Sequence, residues 1–312
     1  MQWFKRVLMV VMVAVAFSMN AQASEKYLPF VLAYVTKGTV ADVTNDVQKK
    51  LTDGGFQVVG KYAPYASAEV IGVTNNSLLQ EAAQTEFGGY GAVQRVAVTK
   101  VGDDIQVTYT NPTYMAFAYR MKGDMADISA QLAKALGKVK EFGPENGLRE
   151  SKLRKYHYMF GMEYFDDIRT HEIAEHKTYE DAVNAVEANL AKGTAGVTKV
   201  YRVDVPGKQE TLFGVGMKMP KGGDKNMDDE YIMNEIDFKD IRSTAHLPYD
   251  ILVSGNKTYA LYARFRIAIS FPDLAMMGEH SFMNIMESPE AIKRALSKAS
   301  GGDYTKSYWE NN

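Results

Sequence analysis

Met276, Met277, His280, Met283 and Met286 crowd into residues 276–286. Read as a helix, Met276, His280 and Met283 share one face at i, i+4 and i+7. Thioether and imidazole are ligands that suit Cu(I). His157, Met159 and Met162 form a second Met/His group. The same residues also suit a core, because Met fills irregular gaps between packed elements.

A second metal pattern lies upstream. Asp224, Asn226, Asp228, Glu230 and Glu235 occupy positions 1, 3, 5, 7 and 12 of a calcium-loop spacing. Position 6, where the sharp turn wants Gly, is Asp229. The competing reading is a charged surface insertion, introduced by Pro220-Lys221-Gly222-Gly223.

Other signatures are incomplete. Gly55, Gly60 and Lys61 have phosphate-loop spacing, but Tyr62 stands where Ser or Thr would hold magnesium. His171 and His176 are one residue too far apart for the two ligands of a zinc-protease helix, and read as solvated edge residues. Asp166-Asp167 is a carboxylate pair of the kind a hydrolase uses. Tyr62, Tyr65, Tyr114, Phe117 and Tyr119 suit either the lining of an apolar ligand pocket or a core. No catalytic set is complete. The expectation is therefore a non-enzymatic binding or assembly module, with a small apolar ligand or a protein as partner. A copper or calcium protein is the alternative. No strong motif requires a cofactor.

The start of the chain reads as an export signal. Lys5 and Arg6 precede an apolar run over residues 7–17, and Ala21-Gln22-Ala23 is a small-residue cleavage box. The run is shorter than the roughly 20 residues a membrane helix needs. Cleavage is expected after Ala23, giving a periplasmic protein with no transmembrane span. Removing Lys5 and Arg6 from the 36 basic residues leaves 34 against 38 acidic ones. That balance argues against nucleic acid, whose binding rests on excess Lys and Arg. With no Cys, ordinary cores must hold the fold together.

A repeat organises the elements that would position these groups. At an offset of 139, Thr39, Asp42, Asn45, Val47, Leu51, Gly54, Val58 and Tyr62 match Thr178, Asp181, Asn184, Val186, Leu190, Gly193, Val197 and Tyr201. At an offset of 160, Pro112, Ala135, Leu136 and Lys138 match Pro272, Ala295, Leu296 and Lys298. Block order is kept, as in a tandem duplication. In each half a Thr-x-x-Asp start predicts a capped helix that ends at a Gly, followed by a strand. Hairpins are expected around Gly102-Asp103 and Gly255-Asn256, the second with strands over 249–253 and 258–270. Helical stretches then follow Pro112 and Pro272, and an amphipathic helix closes each half.

The hairpin ending in Tyr109-Thr110-Asn111-Pro112, the following Met115-Ala116-Phe117-Ala118-Tyr119 and the closing helix together resemble the bacterial domain of unknown function 302 family. The resemblance covers about residues 30–140. The second half is similar but has Phe271-Pro272 in place of Asn111-Pro112, and an insertion. It implies a compact two-layer domain, often dimer-forming, and brings no activity or catalytic residues. A homodimer is accordingly expected. The predicted fold is α+β, with two homologous two-layer domains, each an antiparallel-rich sheet packed with helices. The domains are placed at 24–142 and 166–312, joined by a linker over 143–165, with an insertion near 203–230.

Overall fold

The computed structural model describes residues 25–159 and 161–303. The export signal and the cleavage point after Ala23 lie outside the described residues.

Local chemistry starts the two matching helices. Thr39 Oγ1 accepts the Asp42 amide at 3.1 Å and donates to the Asp42 carboxylate at 2.7 Å. Thr178 accepts the Asp181 amide at 3.1 Å. Both close orphan N–H groups of a first turn. Behind each cap an apolar stripe is buried: Val43, Val47 and Leu51 in one helix, Ala182, Val186 and Leu190 in the other.

The first half runs β1 (Lys26–Tyr27), β2 (Phe30–Thr36), α1 (Val40–Asp53), β3 (Gln57–Tyr62), β4 (Ala68–Thr74), α2 (Asn76–Gln84), β5 (Gln94–Val101), β6 (Asp104–Thr110), α3 (Pro112–Ala118), α4 (Ala126–Leu136) and β7 (Lys140–Phe142). A connection carries β8 (Leu148–Arg149) and the one-turn helices α5 (Glu150–Leu153) and α6 (Ile168–His171). The second half runs β9 (Glu172–Glu175), α7 (Tyr179–Ala191), β10 (Val197–Asp204), β11 (Glu210–Met217), α8 (Asp229–Ile236), β12 (Tyr249–Ser254), β13 (Lys257–Tyr259), α9 (Ala263–Ser270) and α10 (Ser288–Ala299).

The sheet orders are β3-β4-β5-β6-β2-β7 and β10-β11-β12-β13-β9, with all neighbours antiparallel. Except for β7 the two orders are the same when the halves are read in step. Their irregularities recur as well. The register skips Ala33 in β2 and Ile173 in β9, then Val59 in β3 and Val200 in β10. Such bulges bend an edge and sharpen its twist. They also correct the sequence alignment. Gly60 pairs with Gly72 and Tyr201 with Gly214, so Gly60, rather than Tyr62, holds the place of Tyr201.

Two further expectations change. The strand expected over 258–270 ends at Tyr259, and residues 263–270 form α9. Pro112 opens α3 at its first turn, a position where a missing N–H costs nothing, whereas Pro272 follows the end of α9. Residues 273–277 form turns rather than a helix.

Each sheet holds its own helices on one face. Val96 and Val98 of β5 join the core under α1 and α4, while Ile251 and Val253 of β12 join the core under α7 and α10. The intervening residues point the other way, as the strand period requires. Those faces meet: Arg95 contacts Asp250, and at the border Phe30 packs at 6.4 Å on Phe271, which follows α9. The layers are thus helices, sheet, sheet, helices. The connection is also packed down. Leu153 is buried, and the Tyr156 and Tyr158 hydroxyls donate to the Ala268 and Leu274 carbonyls. Among the described residues no helix is long and apolar enough to cross a membrane.

Candidate functional site

The seam between the sheets is built on close backbone approach. A Cβ on Gly60 would overlap the Val200 carbonyl, and one on Gly72 would lie 2.8 Å from the Tyr201 ring. Strands β3 and β10 therefore touch almost backbone to backbone. The 3-10 turn Thr244–His246, just before β12, covers β4, β5 and β6. The 3-10 turn Gly88–Gly91, just before β5, covers β11 and β12 in return. Gly89 donates its amide to the buried Glu210 carboxylate at 3.1 Å there.

Polar groups are drawn into this seam and held by direct bonds. Thr99 Oγ1 donates to Thr244 Oγ1 at 3.0 Å, and the Tyr65 hydroxyl meets the same oxygen at 3.1 Å. Tyr62 donates to Asp229 Oδ2 at 2.8 Å, and the Met217 amide donates to that oxygen at 2.9 Å. The other oxygen, Asp229 Oδ1, is buried with no partner. Burial pushes the Asp229 carboxyl up to about 7 against these bonds. Burial pushes Asp237 up to about 7 as well, although it accepts the Ser243 amide at 2.7 Å.

Where the seam reaches solvent it opens into a cavity of about 560 Å³. The first half supplies Tyr65, Ser67, Thr99 and Lys100. The second supplies Glu230, Asn234, Asp237, Phe238, Arg242 and His280. Phe238 is 43% exposed, and the His280 ring stacks on it at 4.6 Å and 16°. His280 is held by a contact between its Nδ1 and the Glu235 carbonyl at 3.1 Å, in a left-handed backbone conformation. The cavity thus combines an aromatic platform with two cations and two carboxyls. Its volume suits a small molecule, which makes this cleft the candidate binding site.

The residues singled out by sequence are distributed differently. His280 reaches this cavity, but the 276–286 segment is turns and a 3-10 stretch, so the helical face expected of Met276, His280 and Met283 is not formed. Instead the Met283 amide donates to the Met276 carbonyl at 3.1 Å. Met277, Met283 and Met286 are exposed. In the calcium pattern, Asp224 accepts the amide and side chain of Asn226. Asp228 caps α8 and accepts the Met219 amide. Glu235, at the far end of α8, accepts from Asn284. Helix formation from Asp229 thus separates the twelfth position from the first. Among the described residues no group of three His, Asp or Glu is arranged to hold a metal.

Tyr114, Phe117 and Tyr119 are core residues, and Tyr62 and Tyr65 sit at the seam, so these five line no common apolar pocket. His171 is not a solvated edge residue. It is 1% exposed, accepts the Tyr262 amide at 3.0 Å, and burial lowers its pKa. Asp166 pairs with Arg120, while Asp167 accepts the Tyr164 amide, so they do not act as a pair. Sequence reading passed over Asp237, and took Asp229 only as the occupant of the turn position in the calcium spacing. Their signal was faint: acids next to apolar helix positions, with nothing local to mark them as buried.

No family model and no curated protein matches the chain. One solved structure is similar over part of it: the crystal structure of an uncharacterized conserved protein, DUF302, from Bacillus stearothermophilus. The similarity covers 34% of this chain and 97% of that one, at 15% identity and a TM-score of 0.31.

Proposed function

We propose that this is an exported, periplasmic, non-enzymatic binding protein, built by tandem duplication, whose ligand occupies the cavity at the seam. The observation that carries the reading is the cavity itself, to which both halves contribute walls. Duplication is supported by the matching strand orders and by bulges at matching places. Binding rather than turnover is supported by the way the titratable groups are spent. Asp237 and His280 hold backbone atoms of neighbouring segments. Internal pairing of the sheet faces leaves a homodimer only the outer surfaces.

The lining favours a small polar molecule with a planar ring. The ring would lie on Phe238, and its polar groups would meet Lys100, Arg242 and Glu230. An apolar ligand, the kind expected from sequence, suits this polar lining less well. The mainly apolar pocket lined by Ile267, Phe271, Leu274 and Phe282 holds only about 10 Å³. A thermal-shift screen of the mature chain against polar aromatic metabolites tests the reading. At least one compound should raise the Tm, and Phe238→Ala should abolish the rise. A rise unaffected by Phe238→Ala would move the site elsewhere.

Copper remains a second reading on one observation. The Met276–Met283 backbone bond brings two thioether residues to one turn, with His280 between them in sequence. Cu(I) titration with a competing chelator decides it: retention lost in Met283→Ala supports it, and no retention ends it.

A further inference from the structure

A second cavity, of about 680 Å³, opens on the far side of the first half, between the end of α3 and the connection to the second half. Its wall is basic. Arg120, Lys152 and Lys155 line it, together with Ser151, His157 and a single acid, Asp166. Arg120 pairs with Asp166. Among the described residues Lys152 and Lys155 pair with no carboxylate, and neighbouring Arg154 is engaged by Glu150 at 2.7 Å. The Lys155 amide bonds the Lys152 carbonyl, so the two side chains leave one helical turn at a spacing that shares a face. Three cations against one carboxylate give the cleft an excess of two positive charges, on a chain whose net charge is −2.

Two details point to a ligand rather than a solvated face. Arg120 holds a left-handed backbone, φ 52°, just past the end of α3, where Gly is the unstrained residue. That conformation is strained for an L-residue, whose Cβ crowds the following carbonyl oxygen. The Arg120 Nε is buried and has no partner within the protein, although the guanidinium end reaches Asp166. A strained backbone therefore carries a guanidinium whose donors are only partly used. Beside it, the His157 ring lies tilted against Tyr164, with centroids 4.4 Å apart, and its Nδ1 is 2.9 Å from the Met159 carbonyl oxygen.

We propose that this cleft binds a small oxyanion carrying two negative charges, with a phosphate monoester as the favoured form. Arg120 supplies the directional fork, and the two lysines supply point charges. Such a group reaches the cleft either as a soluble ester or as the head group of a lipid. The proposal does not depend on the seam cavity, which lies between other elements.

Calorimetry on the mature chain tests it, with inorganic phosphate and glycerol 3-phosphate as probes at an ionic strength held constant with chloride. Sedimentation with vesicles containing phosphatidic acid covers the lipid source. Saturable binding of either kind is expected. Lys152→Ala with Lys155→Ala should weaken it at least tenfold. Arg120→Gly separates function from folding: it should weaken binding while leaving the Tm equal or higher, because the backbone strain is relieved. Binding equalled by chloride, or unchanged in both variants, would overturn the proposal. So would an absence of binding to phosphate, to the ester and to the vesicles.

Discussion

Arg95 and Asp250 occupy the same place in their respective sheets and face each other across the seam. Arg95 lies opposite Gly72 in its sheet, and Asp250 lies opposite Gly214 in the other. Each is 2% exposed. Tyr201 adds its hydroxyl to Asp250 at 2.9 Å, and Arg266 lies 3.8 Å from the same carboxylate. Arg266 is itself anchored on the His246 and Pro248 carbonyls at 2.6 Å. Matching positions thus carry opposite charges where the two faces meet.

Removing one partner strands a buried charge. Asp250→Ala is expected to lower unfolding free energy by about 3–5 kcal/mol, because two guanidinium groups lose the carboxylate they share. Adding Arg95→Ala should restore part of that loss. Urea unfolding of the single and double variants measures the coupling, and strict additivity would contradict a direct pair.

Much of the local structure is legible in sequence, because its causes are local. The Thr39 and Thr178 caps, the stripes behind them and the Gly102-Asp103 turn each follow from a few neighbouring residues. The α9 helix was not legible. Residues 258–270 are apolar and aromatic enough to extend a strand, yet 263–270 form a helix buried on several sides, with Phe265 and Ile269 in one core and Ala263 and Ile267 in the other. The seam was not legible either. An Arg before Val96 and an Asp before Ile251 stand out in apolar strands, yet nothing in the sequence says that the two faces meet. The cavity inherits that difficulty, since its walls come from segments more than a hundred residues apart.

The caps should respond alike. Thr39→Ala and Thr178→Ala each remove one bond to a first-turn amide, and each should cost about 1 kcal/mol. Chemical denaturation checks both, and a loss at only one would break the parallel between the halves.

Backbone contact at the seam leaves no room for a methyl group. Gly60→Ala sets a Cβ against the Val200 carbonyl and should destabilise by roughly 1–3 kcal/mol. Gly102→Ala is the comparison, with open space at its Cβ, so that its cost is backbone strain alone at φ 59°. If Gly60→Ala left stability unchanged, β3 and β10 would not be in contact.

Burial raises Asp229 from the ordinary carboxylate range near 4 to about 7. Folding therefore favours its protonated form. The resulting stability is complete below pH about 4 and is lost as the pH rises to about 7. Asp229→Asn removes that dependence. The variant should gain about 4 kcal/mol over the parent between pH 4 and pH 8. The buried His171 and His246, whose pKa values are lowered, change stability in the opposite sense but equally in both proteins. Denaturation across this pH range measures the difference, and parallel curves would contradict the raised carboxyl.

The seam cavity is tested most directly by native mass spectrometry of the mature protein isolated from the cell envelope. A small-molecule adduct is expected that denaturation releases, and that is lost when Phe238→Ala and Arg242→Ala are combined in a protein that still unfolds in one transition. A bare wild-type chain, or an adduct retained in full by the double variant, would contradict it.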